Sequence, residues 1–144
     1  MIIGFAGSHI GLLYPQTVTL RSLFRMKMSA FVHRGRGNID TIAHNMVRGM
    51  NWKLPIDVLP MIDEHSVIGT VRNDDPFTTV WGRRERGDVN RIISIVADGI
   101  VFVPKSEHEE QADGWDLVHT ASERGVPVLT VWPDGKMTIK RNEV

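Results

Sequence analysis

A phosphate-sized anion would be well served by one stretch of this chain, Phe31-Val32-His33-Arg34-Gly35-Arg36-Gly37-Asn38-Ile39-Asp40. A short apolar run ends there in a basic, glycine-rich turn, and a helical pattern starts directly after it. Glycine lets the backbone turn sharply and approach a ligand without a Cβ in the way. A helix opening just downstream aims unpaired N–H groups and a partial positive charge into the turn. His33, Arg34 and Arg36 add side-chain charge at the same place. The candidate ligand-binding residues of the turn are His33, Gly35, Arg36, Gly37 and Asn38. The G-x-G spacing lacks the third glycine of the dinucleotide fingerprint. A plain turn before a helix is the competing reading.

Other residues could complete such a site. Gly7, Ser8 and His9 follow the first apolar run, where backbone amides and a hydroxyl could hold a phosphate or ribose. Arg91 falls in the opening turns of a later helix, where its guanidinium could grip a phosphate with two N–H groups. Asp40 could orient a ribose hydroxyl or polarise a water, or it could cap the helix that it opens. His44 lies four residues on, so the two share a helix face. Trp115 could stack on a base, although Trp115, Val118 and Ala121 also fall at the spacing of a buried helical face. The run Glu107-His108-Glu109-Glu110 has no metal-ligand spacing and reads as a solvated acidic loop, so no metal site is expected. Arg83, Arg84 and Arg86 could rim a pocket or meet another subunit, with Glu85 and Asp88 diluting their charge.

The elements that must position these residues alternate. Ile2–Ala6, Phe31–His33, Ile56–Leu59, Ile100–Val103 and Val126–Trp132 read as short buried strands, and 137–140 as a small edge strand. Helical patterns run from Pro15 to Lys27, through Ile39, Ile42, Ala43, Met46 and Val47, from Asp88 to Ala97, and from Trp115 to Arg124. A long loop covers 61–87, and a terminal ribbon 128–140. Apolar strands alternating with helices predict a three-layer, Rossmann-like α/β domain with a mainly parallel sheet of about five strands, Ile100–Val103 central. Ligands of such sheets bind beyond the carboxyl ends of the strands. One domain spanning 1–144 is the expected organisation.

Composition narrows the function classes. Lys+Arg and Asp+Glu balance at 17 each, which disfavours duplex nucleic acid as a partner. The absence of cysteine excludes disulfides, thiolate metal sites and cysteine nucleophiles. No apolar run reaches the ~20 residues that span a membrane, and the first residues lack the pattern of a signal peptide. A cytoplasmic location without membrane contact is expected.

Several strand ends together resemble one family. Gly4-Phe5-Ala6-Gly7-Ser8-His9, the His-x-Gly turn with Asp40 and His44, Asn90-Arg91, Val103-Pro104-Lys105 before Gly114-Trp115, Gly125-Val126-Pro127-Val128 and Val131-Trp132-Pro133-Asp134-Gly135 occur in that order. They resemble a bacterial and phage branch of the SLOG superfamily, the Rossmann-like group that includes the lonely-guy phosphoribohydrolases. The resemblance covers about residues 2–135, and it adds Lys105, Gly114 and Trp115 to the ligand-binding candidates. It implies binding of a nucleotide or nucleotide-derived small molecule by a sensor or sequestering protein, with no further cofactor. The enzymes carry a Pro-Gly-Gly-x-Gly-Thr loop, whereas here Pro104-Lys105-Ser106-Glu107 leads to Gly114-Trp115-Asp116. That departure weighs against the same hydrolysis more than against nucleotide binding. The enzyme alternative is N-glycosidic cleavage of a nucleoside monophosphate, with Asp40 or Glu107 assisting water. A second alternative is a nucleic-acid-binding accessory protein, kept open by the arginine-rich loop. The helix at 89–97 is apolar on both faces, which predicts a homodimer or higher homo-oligomer.

Overall fold

The computed structural model describes residues 1–7, 12–62, 75–106, 108 and 114–141, with the backbone alone at Gly37 and Asn38. Its elements are β1 (Ile2–Gly7), α1 (Tyr14–Leu23), β2 (Ala30–His33), α2 (Gly37–Met50), β3 (Ile56–Val58), β4 (Thr78–Val80), α3 (Arg86–Val96), β5 (Gly99–Val103), α4 (Trp115–Glu123), β6 (Val128–Val131) and β7 (Met137–Lys140). The strands form one sheet in the order β4-β3-β2-β1-β5-β6-β7. Every pair is parallel except β6 with β7. The fold is the expected Rossmann-like α/β arrangement with β5 inside the sheet, but the sheet has seven strands rather than about five.

The strand hidden from sequence patterning is β4. Thr78-Thr79-Val80 is too short to show a period, although Phe77 and Trp81 flank it and Pro76 and Gly82 bound it. It is held instead by tertiary partners. Ile56 N–H donates to Phe77 O and Trp81 N–H to Val58 O, extending the ladder at both ends. Arg48 of α2 ion-pairs with Asp75 and donates to Thr78 Oγ1 at 2.8 Å. The stretch read as one long loop therefore contains a strand and the first turn of α3; residues 63–74 of it lie outside the described residues.

Period-two alternation divides the strands between two cores. Ile3, Phe5, Phe31, Ile56, Val101 and Val103 pack with α1 and α2. Ala6, Val32, Leu59, Ile100 and Phe102 pack with α3 and α4. Phe5, Phe24 and Phe31 meet in tilted and edge-on contacts, 5.5 to 6.4 Å between centroids, and anchor the first core. Val18 of α1 is exposed, and the helix ends at Leu23 rather than Lys27.

Strand order reverses between β1 and β5. From β1 the chain builds outward through β2, β3 and β4, then crosses back to lay β5, β6 and β7 on the other side. Doubly wound sheets bind ligands beyond the carboxyl ends of the strands at such a reversal, here β1 and β5. No helix among the described residues is long and apolar enough to cross a membrane.

Candidate functional site

At the end of β2, consecutive residues send their side chains to opposite faces of the sheet, as strand geometry requires. His33 turns toward α2 and Arg34 toward α3 and α4. Both are fully buried, and each organises a polar network.

On the α2 side, His33 Nε2 and His44 Nδ1 lie 2.8 Å apart. Gly35 N–H donates to His33 Nδ1 at 3.0 Å. That backbone donor assigns the tautomers: His33 carries its proton on Nε2 and gives it to His44 Nδ1, leaving the His44 proton on Nε2. His44 Nε2 is buried without a hydrogen-bond partner. Burial lowers the His33 pKa to about 3, with repulsion from His44 adding to it. Burial and the Arg48 charge lower His44 to about 4, opposed by Asp75. His33 is therefore neutral, and it does not supply the charge expected of it at the turn. It shapes the turn instead, holding Gly35 in a left-handed φ of 64°.

Asp40 stands in the first turns of α2. Its Oδ2 accepts the Arg36 N–H at 2.8 Å, closing the start of the helix from within. The carboxyl is buried, 3.9 Å from His33 Nδ1. Burial raises its pKa to about 7 against the opposing charges of Arg34 and Arg36 and the hydrogen bonds of their backbones. Asp40 and His44 do share a helix face, but His44 bonds His33 and not Asp40.

On the other side, Arg34 Nη1 donates to Asp116 Oδ2 at 2.7 Å and to Asn90 Oδ1 at 3.0 Å. Asn90 Nδ2 donates to the same carboxylate oxygen at 2.9 Å, and Arg86 Nη1 approaches it at 3.3 Å. Burial pushes the Asp116 pKa up, but the Arg34 charge, the hydrogen bonds from Arg34 and Asn90, and the Arg86 charge hold it well below the usual carboxylate range. Arg34 Nε is buried without a partner. The network ties the end of β2 to the first turns of α3 and α4.

Gly114, the N-cap of α4, has a φ of 91°. A Cβ there would lie 3.0 Å from the Gly7 nitrogen, so glycine lets α4 begin against the end of β1. Ile39 of α2 packs on Gly7 from the other face. The openings of α2 and α4 thus flank the end of β1, and the opening of α3 joins them through Arg86, Asn90 and Asp116. Gln16 of α1 braces the same edge, donating to Pro104 O and Val131 O at 2.8 and 3.1 Å.

The expected site residues divide accordingly. Gly7, His33, Gly35, Arg36, Asp40, Gly114 and the backbone of Gly37 and Asn38 lie together at the carboxyl ends of β1 and β2. Ser8, His9 and Glu107 lie outside the described residues. Lys105 is exposed beyond β5. Trp115 is half-buried, its ring 6.4 Å from Phe102 and 6.1 Å from His119, so it packs on the core. Arg91 is exposed and pairs with Asp88 at 3.5 Å; the preceding residue, Asn90, turns inward in its place. Asn90 and Asp116 were the less visible members, whereas Arg86 was expected at a pocket rim. Their signal is faint: Asn90 and Ser94 are polar residues one turn apart on the buried face of α3. Among the described residues no three His, Asp or Glu side chains gather as metal ligands.

No family profile matches the chain, and no curated protein matches it by sequence. Its fold is similar to that of TM1055, a structural genomics target solved by X-ray crystallography. The likeness has a TM-score of 0.57 at 14% sequence identity and covers 88% of this chain and 71% of the other. At that identity the comparison establishes the class of fold, a mainly parallel sheet between helical layers, and nothing finer.

Proposed function

We propose that this protein binds a nucleotide or nucleotide-derived small molecule in the crevice beyond β1 and β5, as a sensor or sequestering protein of SLOG type. One observation carries the reading: the openings of α2, α3 and α4 converge on a buried arginine at the end of β2, next to the strand pair where the order reverses. Each opening presents backbone donors and a partial positive charge. Arg34 and Arg86 face the ionised carboxylate of Asp116, and Arg36 stands beside Asp40, which is about half protonated near pH 7. Basic side chains at helix openings suit an anion. The sequence resemblance and the likeness of fold agree with this reading without specifying the ligand.

Calorimetry with AMP, ADP-ribose, NAD and cyclic dinucleotides tests it. Removing one charged hydrogen-bond donor costs about 1.5–3 kcal/mol, so Arg36→Ala should weaken binding by roughly 10- to 150-fold. Arg91→Ala, on the exposed face of α3, should leave affinity unchanged. Absence of binding by every one of these nucleotides would sink the proposal.

A second reading is kept alive by Asp40, whose pKa of about 7 suits a general acid or base. In that reading a nucleoside monophosphate is cleaved at its N-glycosidic bond. Chromatography after incubation separates the two: free base that disappears in Asp40→Asn favours the hydrolase, and intact nucleotide favours binding alone.

A further inference from the structure

On the second face of the sheet, α3 and α4 cover β1, β5 and β6, and no helix among the described residues covers the neighbouring β2 and β3. A groove of about 330 Å³ lies there, with Val32 and Leu59 on its floor. Ile92 and Val96 of α3 form one wall and Trp81, just past β4, the other. Its volume falls at the lower end of the range of about 300–1,000 Å³ that suits small molecules. None of its lining residues belongs to the Arg34 network at the end of β2.

Two opposite charges complete the lining, Asp57 and Arg84. Asp57 Oδ1 accepts the Trp81 Nε1–H at 2.9 Å, which holds the indole at the groove; Oδ2 accepts no hydrogen bond among the described residues. The Arg84 backbone is fixed beside Met61, donating to Pro60 O at 3.1 Å and accepting the Ile62 N–H at 3.0 Å. Among the described residues neither charge has an ion-pair partner, and they do not pair with each other. Met61 lies four positions past Asp57, about 13 Å of extended chain. The anion and the cation are therefore anchored at separate points along an apolar groove.

We propose that the groove binds a free apolar dipeptide in its zwitterionic form. The ammonium group meets Asp57 Oδ2 beside the Trp81 ring, whose face also attracts a cation. The carboxylate meets the Arg84 guanidinium, and the two side chains bury against Val32, Leu59, Ile92 and Val96. A wholly apolar ligand would strip water from both charges and return no hydrogen bond. A simple anion or cation would serve one charge and leave the other unpaired. A free amino acid carries both its charges on one carbon and cannot reach both anchors. An extended dipeptide spans about 7 Å, and a charge-assisted hydrogen bond adds about 3 Å at each end, which matches the spacing of the anchors.

Calorimetry of the full chain with leucyl-leucine, up to about 10 mM, tests the proposal. The expected result is binding at one site. Acetylating the amine or amidating the carboxylate each removes a charge-assisted contact and should weaken binding at least about tenfold, as should free leucine. In Arg84→Gln the amide should bind as well as the free acid. In Asp57→Asn, which keeps an oxygen for the Trp81 Nε1–H, the acetylated dipeptide should bind as well as the free amine. Circular dichroism checks that the variants are folded; should either fail to fold, the capped dipeptides on the wild-type chain decide. The proposal is overturned if leucyl-leucine does not bind, or if the capped dipeptides or leucine bind as tightly. Folded variants that keep the wild-type preference overturn it too. So does a dimer, seen in sedimentation, that Val96→Glu dissociates, because a second copy then fills the groove.

Discussion

Asp40→Asn should make the protein more stable above neutral pH and leave it unchanged in acid. A rise in pKa from 3.8 to about 7 is worth on the order of 4 kcal/mol, at about 1.36 kcal/mol per unit. Because the folded value lies above the unfolded one, the native carboxyl holds its proton where the unfolded chain has released it. Its contribution is fully present below pH 3.8 and is lost as pH rises through about 7. Asparagine keeps an oxygen for the Arg36 N–H but never ionises. The stability difference should therefore grow from near zero at about pH 4 to several kcal/mol by about pH 8, then stay flat. The histidine pair works in the opposite sense. His33 and His44 are depressed to about 3 and 4, so below about 6.5 the unfolded state takes up two protons that the native state refuses. Between about pH 4 and 6.5 the unfolded state gains two protons and the native state keeps one on Asp40, so wild-type stability rises by about 1.4 kcal/mol per pH unit. In Asp40→Asn the slope doubles. Urea unfolding of both proteins from about pH 4 to 9, extrapolated linearly to water, measures these quantities. A difference that is constant with pH, or a variant less stable than wild type at about pH 8, would refute the placement of a buried, protonatable carboxyl at the start of α2.

Two further perturbations probe the other side of the turn. Arg34→Met leaves Asp116 with Asn90 and Arg86 alone; its pKa should rise, as followed by carboxyl NMR. Stability at neutral pH should fall by about 2–4 kcal/mol, since one partner of a largely buried pair is removed. That loss should shrink as pH drops and Asp116 protonates, which a general packing defect would not do. Gly114→Ala combines a left-handed φ of 91° with a Cβ 3.0 Å from the Gly7 nitrogen. It should cost about 1–3 kcal/mol in thermal unfolding and weaken nucleotide binding by shifting the start of α4. An unchanged melting temperature would show that α4 can move away from β1 without loss.

Local chemistry alone determined much of this protein. The alternation of apolar runs with helical spacing is set by neighbours in the chain, and it specified the parallel sheet and the interior place of Ile100–Val103. The turn after His33 was legible for the same reason: glycine at Gly35 and a helix opening after it are short-range facts. Asp40 was also legible as the side chain that holds the start of α2. What long-range packing decided was the state of each charge. His33 reads as a cation beside Arg34 and Arg36, yet burial against His44 keeps it neutral. Arg34 finds its carboxylate 82 positions away, and Asn90 lies 56 away. No local pattern carries that pairing, because strand order and not chain order brings α3 and α4 to the end of β2. The edge strand β4 depended likewise on Arg48 and Asp75, which hold a segment too short to show a period of its own. Periodicity records which face of an element is dry; only the assembled fold determines which buried polar group meets which, and so which of them remains charged.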